Sequence, residues 1–172
     1  MRFITPRLLN FSGLIICAFL LTTAYCFQIL DGMQPCLLCL LQRAIFILLG
    51  LLFFLAILQN PQRLGRALYA VLINLIAIGG VIVAARQTWL QHQPPQADTV
   101  CLPGLDYLIQ TRPLPEVLQI MFHGGRDCAV ILWRFWGLSM AEWSLIFFVA
   151  LGLLALAQVF LLKDTQNNIT LK

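Results

Sequence analysis

Four long apolar stretches constrain the fold of this chain more than any other feature. They cover residues 11–30, 40–58, 67–85 and 141–162. A helix needs about 20 apolar residues to cross roughly 30 Å of hydrocarbon, so each stretch is long enough to span a bilayer. With 60% hydrophobic and only 10% charged residues, the chain has more apolar surface than one soluble core can bury. The sequence therefore predicts an all-α membrane protein.

The connections between these stretches predict an antiparallel four-helix bundle. The first connection, at residues 31–35, and the second, at residues 59–62, are both short, so successive helices must run in opposite directions. The third connection, at about residues 86–140, is the only one with room for structure outside the bilayer. The chain contains no internal repeat, so we interpret residues 1–172 as a single integral membrane domain.

Part of the third connection has the spacing of a short amphipathic helix that begins near Pro115. Its apolar positions are Leu114, Val117, Leu118 and Met121. Such a helix can lie on the membrane surface or pack over the end of the bundle, and the sequence leaves both open. Further along, Trp133, Trp136 and Trp143 are predicted to form an interfacial aromatic belt.

Basic residues predict the orientation of the bundle. Six fall on one side, namely Arg2, Arg7, Arg63, Arg66, Lys163 and Lys172. Four fall on the other, namely Arg86, Arg112, Arg126 and Arg134. This modest positive-inside excess predicts cytoplasmic termini and places the first and third connections outside. Because the basic residues are dispersed, without a stripe or interleaved aromatic rings, a nucleic-acid-binding function is excluded.

The first apolar stretch also has features of a secretory signal. It is longer than a typical signal core, and Tyr25-Cys26-Phe27 is a poor cleavage site for signal peptidase. We therefore expect it to be the first transmembrane helix.

Two cysteines, Cys36 and Cys39, stand at the start of the second stretch. Residues three apart on a helix share a face, with Cβ atoms about 5–6 Å apart, which is within reach of a disulfide. Pro35 suits the first position of a helix and would place Cys36 in the first turn. There, unpaired N–H groups and the helix dipole favour a thiolate. The pair is thus predicted to cycle between dithiol and disulfide.

Arg43 lies four residues beyond Cys39 and is predicted to share its helix face, one turn deeper in the membrane. A cation at that depth is costly unless a polar or anionic group meets it. Its side chain can extend back to the headgroups. Alternatively, it stabilises the Cys39 thiolate and the charge that develops on a bound electron acceptor.

Cys101 and Cys128 lie in the third connection, with 26 residues between them. A disulfide between them would stabilise the fold by about 3–4 kcal/mol through loop closure, so a purely structural bridge is one interpretation. An inert bridge, however, does not account for the Cys36–Cys39 pair beside it. The alternative is an electron relay in which both pairs take part.

The remaining cysteines and the histidines give little sign of a metal site. Cys17 and Cys26 are about 13 Å apart along one helix and are predicted to be small buried hydrophobic residues. His92 and His123 do not have the spacing of zinc ligands relative to the cysteines. No residue is therefore assigned to a metal.

These motifs together resemble the DsbB family of bacterial disulfide bond formation proteins, and the resemblance covers nearly the whole chain. They are Pro35-Cys36-x-x-Cys39-x-x-x-Arg43 at the second span, Arg86-x-x-x-Leu90-Gln91 at the end of the third, and Arg126-Asp127-Cys128-Ala129 followed by Trp133-x-Phe135-x-Gly137-Leu138-Ser139-Met140-x-x-Trp143. Members of this family often have His after the arginine of Arg86-Gln87, whereas this chain has Gln87. His92 is predicted to face another direction.

The resemblance implies an inner-membrane enzyme that reoxidises the periplasmic thiol oxidase DsbA and passes two electrons to ubiquinone or menaquinone. It implies that the partner's thiolate attacks Cys101, after which Cys128 exchanges with Cys36. It further implies that Cys39 contacts the quinone, assisted by Arg43.

Three other interpretations remain open from the sequence. One is a relative of the vitamin K epoxide reductases, although those proteins have their membrane CxxC after the loop cysteines. Another is a non-catalytic four-span scaffold with a structural loop disulfide. The third is a metal carrier.

Overall fold

The computed structural model describes residues 6–30, 32, 35–93, 105–131 and 133–170. The elements in these residues are α1 Pro6–Leu30, α2 Leu37–Gln59, α3 Arg63–His92, α4 Leu105–Thr111, α5 Leu114–His123, α6 Arg126–Ala129, β1 Arg134–Phe135, β2 Leu138–Ser139 and α7 Met140–Thr170. Helices α1, α2, α3 and α7 are long and apolar enough to cross a membrane. The predicted all-α, four-span membrane fold is confirmed.

The long helices extend beyond the predicted spans. Helix α3 continues to His92, so residues 86–92 are helical rather than part of the third connection. Helix α7 continues to Thr170. The apolar pattern marks only the part of a helix that needs a lipid environment, whereas backbone hydrogen bonding continues into polar flanks. The predicted span, residues 67–85, is therefore the apolar part of a longer helix.

The four long helices pack around one core. Helix α1 lies along α2, α2 contacts α3, and α3 lies along α7, whereas α1 and α7 approach each other less closely. The largest side chains without exposure in the core are Phe53, Leu49, Phe148 and Leu151. The rings of Phe46 and Phe148 stack with centroids 4.1 Å apart, which joins α2 to α7.

Two glycines allow the close approach of neighbouring helices. A Cβ atom on Gly80 in α3 would lie 2.5 Å from the ring of Phe148, and one on Gly13 in α1 would lie 2.7 Å from the ring of Phe53. Small residues at such contacts let transmembrane helices pack tightly, and dispersion is a main source of attraction between helices in lipid.

Two features define the end of the bundle opposite the cysteines. Asn60 ends α2 in the left-handed conformation, with φ 39° and ψ 57°, and its N–H donates to the Ala56 carbonyl. Asparagine tolerates this conformation, which allows the chain to reverse into α3 within a few residues. Gln158 Nε2 donates to Asn10 Oδ1 across 2.7 Å, and this buried bond joins α7 to α1.

Helices α4 and α5 pack over the start of α2. Val117 and Met121 of α5 form a small core with Leu108 of α4 and Leu37 of α2. The sequence left two positions open for this amphipathic helix. The face that contains Val117 and Met121 packs over the end of the bundle, which is one of those two. Leu114 is 69% exposed and lies on the other side.

The start of α7 is fixed by a hairpin and a capping box. Trp136 and Gly137, both with positive φ, connect β1 to β2 as a two-residue turn. Ser139 Oγ then accepts from Glu142 N–H, and Glu142 Oε2 accepts from Ser139 N–H. The Ser139 hydroxyl also donates to Gln91 Oε1 across 2.7 Å, which ties α7 to the end of α3.

Candidate active site

Cys36 is the N-cap of α2 and Cys39 lies in its first turn. Cys36 has an extended backbone, with φ −68° and ψ 165°, and its Sγ accepts from Cys39 N–H across 3.3 Å. The prediction that Pro35 occupies the first helical position was wrong, because the helix begins two residues later at Leu37. As the N-cap, Cys36 accepts a first-turn N–H directly, whereas Cys39 lies within the first turn, where the helix dipole favours a thiolate.

The two sulfur atoms lie 2.8 Å apart, with the Cys36 thiol donating to Cys39 Sγ. Gln87 of α3 donates from Nε2 to Cys39 Sγ across 3.2 Å and to Cys36 Sγ across 3.5 Å. Gln42 in turn donates to Gln87 Oε1 across 2.8 Å. Cys39 Sγ thus accepts two hydrogen bonds, which is the environment that suits a thiolate.

Cys128 brings a third sulfur to this pair. It is buried in α6 and shares a small apolar cluster with Cys36, Leu38 and Val83. Hydrogen bonds to the sulfurs of Cys128 and Cys39, followed by burial, raise the pKa of Cys36 above the ordinary range of a thiol. The predicted partner of Cys128, Cys101, lies outside the described residues.

Gly124 allows the chain to return over the bundle and position α6. Its φ of 72° is in the region that favours glycine, and a Cβ atom there would lie 2.7 Å from Leu90 Cδ1. Its N–H also donates to Ile120 O at the end of α5. The close approach to α3 is therefore part of what positions Cys128 beside Cys36.

Arg43 is held by neutral groups of α1. One guanidinium nitrogen donates to Gln28 Oε1, the other to the Ala24 carbonyl across 3.0 Å, and the group lies 5.1 Å from the centre of the Tyr25 ring. Within the described part of the chain, no carboxylate lies at ion-pair distance from this cation. Among the described residues, its charge is thus hydrogen-bonded but not neutralised.

A cavity of about 430 Å³ lies beside these residues. Cys36, Cys39, Gln42 and Arg43 form part of its wall. Residues of α1, α3 and α7 contribute as well, together with Val130, Ile131, Trp133 and Phe135. Most of the remaining wall is apolar and aromatic, including Phe27, Trp133, Phe135, Trp143 and Phe147. The volume falls in the range of small-molecule pockets, which is about 300–1,000 Å³.

The sequence predicted some of this arrangement and missed the rest. Cys36, Cys39 and Arg43 share one wall, as their spacing indicated. Gln42 and Gln87 were not predicted as site residues, although a polar residue inside an apolar span is a recognisable signal of a functional position. Trp133 and Trp143, predicted only as interfacial residues, also line the cavity.

Other cysteines and histidines lie away from the site. Cys17 is buried in the bundle core, as predicted. Cys26 is exposed, so the prediction that it is buried was wrong for this residue, which faces outward from α1. His92 is exposed as well and lies 3.9 Å from Glu142. Among the described residues, no three His, Cys, Asp or Glu side chains are grouped in a way that could hold a metal ion.

Four helices long enough to span a membrane, around a cavity with a paired dithiol, are the arrangement expected of a membrane thiol–disulfide oxidoreductase. Residues 6–158 match the family model described as disulfide bond formation protein DsbB, and the chain belongs to this family.

Named relatives agree with this assignment. Disulfide bond formation protein B 1 of Pseudomonas aeruginosa is 41% identical over 146 residues, which are 85% of this chain and 90% of the relative. Disulfide bond formation protein B of an Azoarcus species is 43% identical over 144 residues, covering 84% and 86% of the two chains. The protein of the same name from Nitrosococcus oceani is 35% identical over 156 residues, covering 91% and 92%.

Proposed function

We propose that the protein is a quinone-dependent thiol oxidase of the bacterial inner membrane, which reoxidises a periplasmic DsbA-like partner. In the overall reaction, the partner's two thiols become a disulfide, and one ubiquinone or menaquinone takes up two electrons and two protons. The observation that supports this proposal best is the Cys36–Cys39 pair in the wall of a cavity that also contains Arg43.

The residues of the cavity fit a quinone headgroup. A quinone is a flat ring with two carbonyl oxygens, and the cavity combines aromatic walls with the guanidinium of Arg43. Because Arg43 has only neutral hydrogen-bond partners among the described residues, it can stabilise negative charge on a bound oxygen. A bound quinone would supply the uptake of two electrons and two protons, which protein side chains alone do not provide.

The four cysteines would pass a disulfide from one pair to the other. The partner's thiolate attacks Cys101 of a Cys101–Cys128 disulfide and releases Cys128. Cys128 then attacks Cys36 of a Cys36–Cys39 disulfide, and Cys39 leaves as a thiolate. The contact between the Cys36 and Cys128 sulfurs supports this exchange.

The remaining steps balance the reaction. The partner's second thiol displaces Cys101 from the mixed disulfide and completes the partner's own disulfide. The Cys101 thiolate then attacks Cys128, which breaks the Cys128–Cys36 disulfide and releases Cys36. Cys36 and Cys39 are then the reduced pair. Their return to a disulfide releases the two electrons and two protons that the quinone takes up.

We also propose that both termini are cytoplasmic and that the cysteines of the site face the periplasm. The excess of basic residues on the side of the termini supports this orientation.

The test is a Cys39→Ser variant, with Cys26→Ser as the matched control on the exposed side of α1. We expect Cys39→Ser to abolish quinone reduction, measured by the ultraviolet absorbance of a short-chain ubiquinone, while Cys101 still forms a mixed disulfide with reduced DsbA. The control should turn over normally. Unchanged turnover by Cys39→Ser would refute the relay, and absence of quinone reduction by the unmodified protein would favour a scaffold.

A further inference from the structure

Two buried glutamines connect α3 to the sulfur pair. Gln87 is 3% exposed and Gln42 is 5% exposed. Gln87 Nε2 is within hydrogen-bond distance of both sulfurs, and Gln87 Oε1 accepts from Gln42 Nε2. A buried amide in an apolar span is costly unless it is hydrogen-bonded. These hydrogen bonds therefore hold both glutamine amides in defined positions.

The chemistry of the sulfurs determines which end of the Gln87 amide faces them. A thiolate has no proton to donate and accepts hydrogen bonds only. An amide oxygen turned toward it would be repelled, whereas the N–H is attracted. Gln42 reinforces this orientation, because its Nε2 occupies the acceptor oxygen of Gln87.

The strength of this bond depends on the redox state of the pair. A disulfide sulfur is a weak acceptor, whereas a thiolate forms a charge-assisted bond that is roughly twice as strong as a neutral one. The Gln87 N–H therefore stabilises Cys39 more after it is released than before. An interaction that strengthens as charge develops accelerates the release itself.

We propose that Gln87 is a catalytic residue that stabilises the departing Cys39 thiolate by donating its Nε2–H, and that Gln42 is a positioning residue that orients the Gln87 amide. This inference rests on the proposed thiol-oxidase function and adds two residues to its site.

The chain provides a matched control for a merely structural role. Gln158 and Asn10 form a second buried amide pair between two helices, with a 2.7 Å hydrogen bond at the opposite end of the bundle. Removing either pair deletes a buried bond between helices. Only the Gln87 pair contacts sulfur.

The experiment measures alkylation of Cys39 by iodoacetamide as a function of pH, in the full-length reduced protein in detergent. In a Cys36→Ser background, tandem mass spectrometry of tryptic peptide 8–43 distinguishes alkylation of Cys39 from that of Cys17 and Cys26. In this background we expect Gln87→Leu to slow alkylation about tenfold at pH values where the thiolate is the minority form, because a charge-assisted hydrogen bond is lost. The profile should move to higher pH by about one unit, with a plateau rate at high pH that does not fall.

The plateau separates thiolate stabilisation from access. A variant that merely changed the packing would alter the rate at every pH, including the plateau. Gln158→Leu should leave the whole profile unchanged. An unshifted profile for Gln87→Leu, or an equal shift for Gln158→Leu, would overturn the proposal. Should Gln87→Leu fail to fold, Gln87→Glu replaces the donor with a carboxylate of the same size. This variant should shift the profile in the same direction. Absence of that shift would likewise overturn the proposal.

Gln42 is tested by combining variants. Gln42→Leu should shift the profile less than Gln87→Leu, because the donor remains but is less well oriented. The double variant should shift it no further than Gln87→Leu alone, since Gln42 acts through Gln87. Additive shifts would overturn the positioning role. None of these measurements uses quinone or DsbA. Failure of the proposed function would instead appear as no quinone reduction by the unmodified protein. The two failures are therefore distinguishable.

Discussion

Cys36 and Cys39 are separated by two residues, yet their sulfurs have different surroundings. Cys36 caps the helix and donates its thiol hydrogen to Cys39, whereas Cys39 receives hydrogen bonds from both Cys36 and Gln87. Gln87 Nε2 is closer to Cys39 Sγ, at 3.2 Å, than to Cys36 Sγ, at 3.5 Å, and the raised pKa of Cys36 favours the proton on that residue. The pair is therefore suited to exchange with a thiolate at Cys36 and to release charge at Cys39.

The first prediction at this scale concerns the order of alkylation. Because its hydrogen bonds and burial raise the pKa of Cys36, this residue should remain a protonated thiol at neutral pH and react only as the pH rises well above that. In the reduced wild-type protein, we expect iodoacetamide to modify Cys39 before Cys36, as resolved by tandem mass spectrometry. Modification of Cys36 first would contradict the asymmetry.

The second concerns Arg43. Its guanidinium reaches the Ala24 carbonyl and Gln28 with separate nitrogens, a fork that a lysine ammonium cannot reproduce. We expect Arg43→Lys to raise the KM for a short-chain ubiquinone about tenfold while mixed-disulfide formation with DsbA is retained. Arg112→Lys, which changes an exposed pair with Glu116, is the control. An unchanged KM would remove Arg43 from the quinone site.

At the scale of the helices, close contacts between faces determine where the site residues lie. Gly80 admits the ring of Phe148 against α3, and Phe148 stacks on Phe46 of α2. Phe46 also lines the cavity. The glycine contact thus helps to position the floor of the site.

This packing gives a third prediction. Gly80→Ala should destabilise the protein by about 1–3 kcal/mol, because a Cβ atom would collide with the Phe148 ring. The adjacent Gly79 has nothing within 4 Å of an added Cβ, so Gly79→Ala should leave stability unchanged or slightly higher. Thermal unfolding in detergent, followed by circular dichroism, measures both. Equal losses would show that the ring contact is unimportant.

At the scale of the whole molecule, the two ends of the bundle differ. At one end the buried Asn10–Gln158 bond joins α1 to α7. At the other, residues of α1 and α7 line the cavity, α4 and α5 pack over the start of α2, and Cys128 of α6 lies beside Cys36. The candidate site therefore lies at the end of the bundle opposite the buried amide pair.

The proposed orientation gives a fourth prediction. In a variant without native cysteines, a membrane-impermeant maleimide should label Gln110→Cys, on the exposed side of α4, in spheroplasts with an intact inner membrane. Gln62→Cys, in the exposed connection between α2 and α3, should be labelled only after the membrane is disrupted. The opposite pattern would invert the topology.

The sequence alone determined the number of spans, the pairing of Cys36 with Cys39, and the common wall of Cys39 and Arg43. These are local relations, since residue spacing on a helix and the length of an apolar run follow from backbone geometry. The sequence also indicated the family, through motifs distributed along the chain.

Only the tertiary structure decided that Gln87 meets the sulfur pair and that α5 packs over α2, and it brought Cys128 beside Cys36, which the family resemblance alone had implied. Each of these contacts depends on the rotation of one helix relative to another. In a membrane protein the side of a helix that faces lipid and the side that faces the core are both apolar, so hydrophobic periodicity leaves that rotation undetermined. Close contacts such as Gly80 with Phe148, and buried hydrogen bonds such as Gln42 with Gln87, determine it instead.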